Sequence, residues 1–113
     1  MSNLGDPELI NQLNELSIQL PQAIKLMGKY GRDYAKADVE YRQAKAQEVV
    51  RLRINGESVT LIGDLVYNSE DVSNALYNRD QSEALYKTAQ ENINAIKIQI
   101  RVIEDQISRE WAE

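Results

Sequence analysis

The chain has 113 residues and a formal net charge of −5, and it contains neither cysteine nor histidine. This composition excludes a disulfide framework and a catalytic thiol, and it removes the commonest general base and metal ligand. The acidic balance argues against a site for duplex nucleic acid, and no apolar stretch approaches the roughly 20 residues that span a bilayer. Because the first residues also lack the features of a signal peptide, we expect a single soluble domain in the cytoplasm.

The first predicted element is a helix that begins near Pro7. Asp6 can cap this helix, and Pro7 suits its first position. From Leu9 to Ala44, apolar residues recur at alternating spacings of three and four, which predicts a helix with one apolar seam facing another helix.

Pro21 interrupts this first pattern without changing its phase. A proline inside a helix removes one backbone hydrogen bond and costs roughly 3 kcal/mol. We therefore expect a kink or a break at this point. Segment 8–20 is then either a separate N-terminal helix or a kinked extension of a first long helix over residues 21–54.

Residues 55–69 are predicted to form the connection between two long helices. Asn55 and Gly56 favour the left-handed backbone that ends a helix. Residues 60–67 are too apolar for an exposed loop, so we expect a short helix there. Ser69 is then the predicted N-terminal cap of the next helix.

The second long helix is predicted over residues 70–112, which contain neither glycine nor proline. Its seam consists of isoleucines in a heptad rhythm: Ile93, Ile96, Ile100, Ile103 and Ile107. Residues 21–54 carry eight basic and four acidic side chains, whereas residues 55–92 carry two basic and seven acidic ones. These opposite charges favour pairing of the two arms. The expected fold is all-α, an antiparallel, coiled-coil-like helical hairpin.

A second apolar stripe, formed by Ala95, Ile98 and Val102, lies beside the isoleucine seam. An apolar face of this width requires more than one neighbouring helix. We expect a homo-oligomer that forms a helical bundle, or docking of segment 8–20, or contact with an unrelated protein. Tyr67 and Tyr77 fall outside the seams and are further candidate interface residues, since tyrosine is enriched in interfaces.

Arg79 falls on the seam of the second helix, and Ser82 follows one turn later. Polar breaks of this kind usually determine register or oligomeric state. We therefore expect Arg79 to pair with a carboxylate such as Glu48. A ligand-binding cavity at the same layer is the alternative.

Four basic residues form a possible nucleic-acid patch: Arg42, Lys45, Arg51 and Arg53. Glu40 and Glu48 interrupt this patch, so salt bridges within the chain are the favoured interpretation. The sequence contains no phosphate-binding loop, no nucleophile motif and no metal-ligand cluster. We expect no enzymatic activity, no metal and no cofactor.

Three segments of the chain, residues 51–60, 93–101 and 108–111, carry a resemblance to known proteins. They resemble short helical proteins encoded in the early regions of phages and prophages of low-GC Gram-positive bacteria. The resemblance implies a gene among those for replication, recombination or host takeover, and it supplies no mechanism. Because catalytic motifs are missing and the apolar face is wider than one hairpin needs, we expect a non-enzymatic protein-interaction module that binds a phage or host protein of the replication, recombination or defence machinery. The alternative is an accessory protein that binds single-stranded nucleic acid.

Overall fold

The computed structural model describes residues 7–112, and over these residues the fold is all-α with no strand. Helix α1 spans Pro7–Ile54, α2 spans Val59–Leu65 and α3 spans Glu70–Ala112. A single 3-10 turn, Val66–Asn68, lies between α2 and α3. The all-α prediction is confirmed. The predicted cap Asp6 lies outside the described residues.

Helix α1 continues through Pro21 as one helix. Of the two alternatives for segment 8–20, the separate N-terminal helix is therefore excluded, and the kink at Pro21 stays a prediction. Side chains on both sides of Pro21, including Leu16, Leu20 and Ala23, pack on the same apolar cluster. Burial of each such side chain contributes on the order of 1.5–3 kcal/mol, which offsets the roughly 3 kcal/mol cost of the proline.

The C-terminal end of α1 has the hydrogen bonds of a Schellman cap. The Gly56 backbone N–H donates to the carbonyl of Arg53 at 3.0 Å, and the Glu57 N–H donates to that of Leu52 at 3.1 Å. Gly56 has a φ of +84°, a conformation that glycine adopts without steric cost. The helix therefore ends at Ile54, where the Asn55–Gly56 signal placed its end.

Serine side chains begin the next two helices. The Ser58 hydroxyl accepts a hydrogen bond from the Leu61 N–H at 3.3 Å, and that of Ser69 accepts one from the Val72 N–H at 3.4 Å. Glu70 and Asp71 occupy the first turn of α3, where carboxylates interact favourably with the helix dipole. The short helix expected in the connection is present as α2.

The contacts of the chain divide it into two compact units. Unit 1 comprises residues 1–28 and 87–113, of which 7–28 and 87–112 are described, and unit 2 comprises Lys29–Tyr86. Both long helices contribute residues to both units. The expectation of a single domain stays a prediction.

The core of unit 1 is aliphatic. Ala23, Ile93 and Ile96 are buried together. Four partly buried side chains pack against them: Leu16, Leu20, Met27 and Ile100. The isoleucine seam predicted for the second helix thus supplies this core.

The core of unit 2 includes side chains from every helix and from the 3-10 turn. Its buried residues are Tyr41, Leu52, Ile62, Val66 and Val72. Val66 and Val72 are the two that are almost completely buried. The connecting segment therefore contributes to the core rather than only joining two helices.

Gly31 of unit 2 permits a close approach to an aromatic ring of α3. A Cβ atom at position 31 would lie 3.1 Å from Cε1 of Tyr86. The Tyr86 ring also lies 6.3 Å from the Tyr34 ring, measured between centroids. These contacts place residues 31–34 of α1 beside residue 86 of α3.

Candidate functional site

A polar layer surrounds Arg79 on the packed surface of unit 2. The Arg79 guanidinium carbon lies 4.5 Å from the centroid of the Tyr41 ring, a cation–π distance. Its Nη2 atom lies 2.9 Å from an Asp80 carboxylate oxygen, and its Nη1 atom lies 3.9 Å from one of Asp38. Ser82 is half-buried one turn further along α3. Because Arg79 is also only half-buried, this polar break lies at the edge of the core.

Arg79 pairs with carboxylates as expected, but its partners are Asp80 and Asp38 rather than the example Glu48. Glu48 instead accepts two hydrogen bonds of 2.7 Å from Arg51, three residues away on α1. The register of α3 along α1 that places Tyr34 beside Tyr86 also places Asp38, rather than Glu48, beside Arg79.

A cavity of unit 2 lies away from the Arg79 layer, where the alternative prediction placed a ligand. It has a volume of about 200 Å³ and lies further along α1, and neither Arg79 nor Ser82 lines it. Its lining is mostly polar: Ala44, Gln47, Glu48, Arg51, Ser69 and Asp71. Glu48 and Arg51 already satisfy each other within this cavity.

Tyr41, Lys45 and Tyr67 form a hydrogen-bonded group beside the polar layer. Lys45 Nζ donates to the Tyr67 hydroxyl at 3.1 Å, and the hydroxyls of Tyr41 and Tyr67 lie 3.4 Å apart. Lys45 Nζ also lies 5.3 Å from the centroid of the Tyr67 ring. The hydrogen bond shared with Tyr41 and the one donated by Lys45 lower the pKa of Tyr67, whereas the hydrogen bond shared with Tyr67 raises the pKa of Tyr41. Tyr67 is thus held by contacts within unit 2.

Three of the four residues in the predicted nucleic-acid patch have partners within unit 2. Arg42 pairs with Asp38 at 3.0 Å, Lys45 binds Tyr67, and Arg51 pairs with Glu48. Arg53 is exposed and takes part in none of the ion pairs found among residues 7–112. The salt-bridge interpretation therefore holds for Arg42 and Arg51, whereas Lys45 binds a tyrosine hydroxyl rather than a carboxylate.

The second apolar stripe of α3 lies on the surface of unit 1. Ile98 and Val102 are 57% and 52% exposed, and Ala95 is exposed as well. Ile98 and Val102 form part of a groove of about 450 Å³ between segments of α1 and α3. The groove has an apolar floor and a rim rich in glutamine: Gln12, Glu15, Leu16, Gln19, Ile98, Gln99, Val102, Ile103 and Gln106. Such a groove can accept aliphatic side chains and offer amide hydrogen bonds at its edges.

The two tyrosines proposed as interface residues differ in their surroundings. Tyr77 is 66% exposed, whereas Tyr67 is less exposed and engaged by Tyr41 and Lys45. Tyr77 consequently remains accessible to another molecule on the surface of unit 2.

The sequence patterns missed four exposed aliphatic side chains on the two sides of the turn between α1 and α2. They are Val50, Ile54, Val59 and Leu61, which we call the junction patch. Ile54 and Val59 are each 79% exposed, and Val50 and Leu61 are about half exposed. Helical periodicity highlights seams that become buried, so it gives no signal for aliphatic residues left outside them. The sequence signal that could have identified these residues is the high aliphatic content on both sides of the polar Asn55–Gly56 turn.

The described residues contain neither a candidate metal site nor a candidate membrane-spanning helix. No group of three or more carboxylates among residues 7–112 could hold a metal ion. No helix within the same range combines the length and apolar character that a membrane span requires.

No protein-family model, curated protein or solved structure matches this chain.

Proposed function

We propose that this chain is a non-enzymatic helical module that binds another protein through the junction patch. The observation that supports the proposal is the exposure of four aliphatic side chains within residues 50–61. Exposed apolar residues concentrated in one region mark protein interfaces more often than single exposed residues do. Arg53, which lies inside this segment and is exposed, adds a polar group of the kind found at interface rims.

The proposed module is an antiparallel helical hairpin that assembles into a helical bundle. Within unit 2, residue 34 of α1 contacts residue 86 of α3, and residue 38 contacts residue 79. The residue number increases from 34 to 38 along α1 while the number of the contacted residue decreases from 86 to 79 along α3, so the two helices run antiparallel. These contacts support the hairpin for unit 2.

The proposed partner is a phage or host protein of the replication, recombination or defence machinery, encountered in the host cytoplasm. The resemblance of residues 51–60, 93–101 and 108–111 to phage early proteins supports this assignment. Residues 51–60 overlap the junction patch, so the proposed contact and the resemblance involve the same segment.

The proposal is tested by affinity capture from a lysate of a low-GC Gram-positive host, with and without phage infection, followed by quantitative mass spectrometry. We expect Val50→Ser/Ile54→Ser to reduce recovery of the partner at least about tenfold, because each buried aliphatic side chain contributes on the order of 1.5–3 kcal/mol. The matched control, Ile24→Ser/Val39→Ser, replaces one exposed isoleucine and one exposed valine elsewhere in α1. The control should leave recovery unchanged. The purified partner should then bind the unmodified chain and the control variant but not the junction-patch variant, which confirms a direct contact.

Two results would contradict the proposal. The first is equal loss of the partner with both double variants, which would indicate non-specific apolar capture. The second is binding of single-stranded oligonucleotide, with affinity falling steeply as salt increases, in the absence of a protein partner. If Arg51→Ala/Arg53→Ala then abolished that binding, the nucleic-acid accessory role through Arg42, Lys45, Arg51 and Arg53 would replace the proposed one.

A further inference from the structure

A regular stripe of six exposed residues runs along α3 within unit 1. The spacing alternates between four and three: Glu91, Ala95, Ile98, Val102, Asp105 and Arg109. All six are exposed, although the neighbouring seam residues Ile93, Ile96 and Ile103 are buried. Alternation of three and four is the spacing by which one helix packs along another. The surface of α3 therefore carries a second helix-packing face that residues 7–112 leave uncovered.

The order of residues along this face is self-complementary. Its apolar residues Ala95, Ile98 and Val102 lie between Glu91 at one end and Asp105 and Arg109 at the other. When a copy of α3 is turned antiparallel about position 100, Ile98 lies opposite the partner's Val102. Glu91 then lies opposite the partner's Arg109, and Ala95 lies opposite the partner's Asp105. Twofold symmetry repeats each of these contacts, so two apolar contacts and two ion pairs form, and each Asp105 faces an alanine.

We propose that a second copy of this chain covers the face, with its α3 antiparallel and partly seated in the groove beside Ile98. The inference specifies the bundle assembly that the proposed function includes, and it does not rest on the junction patch, which belongs to unit 2 whereas this face belongs to unit 1. The apolar stripe alone identifies neither the partner nor the direction of the contact, whereas the complete face identifies a second copy of the chain in antiparallel direction.

Charge favours a second copy in this direction over the alternatives. A parallel arrangement would place Glu91 opposite the partner's Glu91 and Arg109 opposite the partner's Arg109, and both pairs repel. Neither Glu91 nor Arg109 takes part in an ion pair found among residues 7–112. The glutamine-rich rim of the groove carries one charged residue, Glu15, so two acidic chains can approach there with little repulsion. The antiparallel register also brings the two copies of Arg101 near the axis, where Asp105, one turn along α3, offsets the like charge.

The first experiment is sedimentation velocity across micromolar concentrations. We expect a dimer, and we expect Ile98→Asp to raise its dissociation constant at least about tenfold, because the variant buries an unpaired carboxylate. Ile24→Asp, an exposed position of unit 1 outside the groove lining, should leave the dimer intact. Circular dichroism of each variant establishes that helical content is retained.

A charge exchange tests the register. Glu91→Arg alone and Arg109→Glu alone should each weaken the dimer about threefold to tenfold, since each breaks two exposed ion pairs. The double variant Glu91→Arg/Arg109→Glu restores opposite charges and should return the affinity close to that of the original chain.

Disulfide trapping tests the direction, and the absence of cysteine makes the result unambiguous. Chains carrying Ile98→Cys are mixed with chains carrying Val102→Cys under mild oxidation. An antiparallel dimer gives mainly the mixed disulfide, because those two positions face each other at bonding distance. A monomer at tens of micromolar, a dimer insensitive to Ile98→Asp, or a predominance of disulfides between identical chains would overturn the proposal.

Discussion

The two units bury apolar side chains by different means. In unit 2, α2 and the 3-10 turn add Ile62 and Val66 to side chains from both long helices, and Val66 and Val72 become almost completely buried. The described part of unit 1 consists of two helical segments, and Ile98 and Val102 stay exposed beside its core. A short third element thus completes the core of one unit, whereas an apolar face remains open in the unit that has two segments.

The two units also differ in the chemistry of their packed surfaces. Unit 2 contains a group of aromatic and charged side chains, in which Arg79 and Lys45 lie against tyrosine rings. The core cluster of unit 1 is composed of aliphatic side chains and methionine. Polar contacts with defined geometry favour one register, whereas aliphatic contacts tolerate repacking.

The largest expected effect comes from a substitution in the core of unit 2. Tyr41→Ala removes a buried ring that supports Arg79 and contacts the Tyr67 hydroxyl. We expect it to lower the free energy of unfolding by about 3–5 kcal/mol, measured by urea denaturation. Tyr77→Ala, at an exposed position, should change stability by about 0.5 kcal/mol or less. Similar losses for the two variants would contradict the assigned core.

A smaller effect on the free energy of unfolding is expected from substitutions in unit 1. Ile96 is 5% exposed and Ile98 is 57% exposed, although both belong to α3 and lie two residues apart. Ile96→Ala should cost about 2–4 kcal/mol of unfolding free energy because it leaves a cavity in the core. Ile98→Ala should cost less than about 1 kcal/mol at concentrations where the chain is monomeric. Urea denaturation at low protein concentration distinguishes the two, and a reversed order would place the seam on the other face.

Two glycines of unit 2 should respond in opposite directions. Gly56→Ala places a side chain at a φ of +84°, so we expect a loss of about 1 kcal/mol. Gly63 lies within α2, and a Cβ there meets no atom within 4 Å. Gly63→Ala should therefore stabilise the fold by about 0.4–1 kcal/mol. Thermal unfolding of both variants measures the difference, and stabilisation by Gly56→Ala would contradict the cap.

The smallest expected effect concerns pH. The hydrogen bonds from Arg51 lower the pKa of the Glu48 carboxyl below its ordinary value of 4.5. A lowered folded-state pKa contributes stability above the unfolded-state pKa and loses it as the pH falls through the folded-state value. In Glu48→Gln, the free energy of unfolding should therefore decrease less than in the original chain as the pH falls through this range.

Carboxyl NMR titration measures this pKa directly, and Arg51→Met should raise it toward the ordinary value. Glu40→Gln, at an exposed site on the same helix, is the control for stability. A Glu48 pKa that did not respond to Arg51→Met would show that the pairing is absent in solution.

Local signals predicted most of the helix ends correctly. Asn55–Gly56 and Ser69 act through backbone hydrogen bonds close to them in sequence, so their effects can be inferred without knowledge of packing. At Pro21 the local signal left a break and a kink as alternatives, and the helix continues because contacts with residues far along the chain offset the cost of the proline. Propensity describes a helix in isolation, and packing decides its continuity here.

The candidate sites were harder to predict because they depend on register. The exposed stripe of Ala95, Ile98 and Val102 follows from helical spacing alone. The partner of Arg79 depends on the register of α3 along α1, in which Asp38 rather than Glu48 lies beside Arg79. The junction patch has no periodic signature, so its exposure became evident from the three-dimensional packing.

The division into units has a consequence for the order in which the chain folds. Residues of unit 2 that meet, such as Tyr41 and Val72, are separated by far fewer positions than Ala23 and Ile96 of unit 1. Closing the shorter loops first costs less chain entropy, and the remaining loop is then shortened by the structure already formed. We therefore expect unit 2 to nucleate folding and unit 1 to close last and open first. Hydrogen exchange should accordingly be faster for the amides of residues 10–25 and 95–110 than for those of residues 41–52 and 72–80.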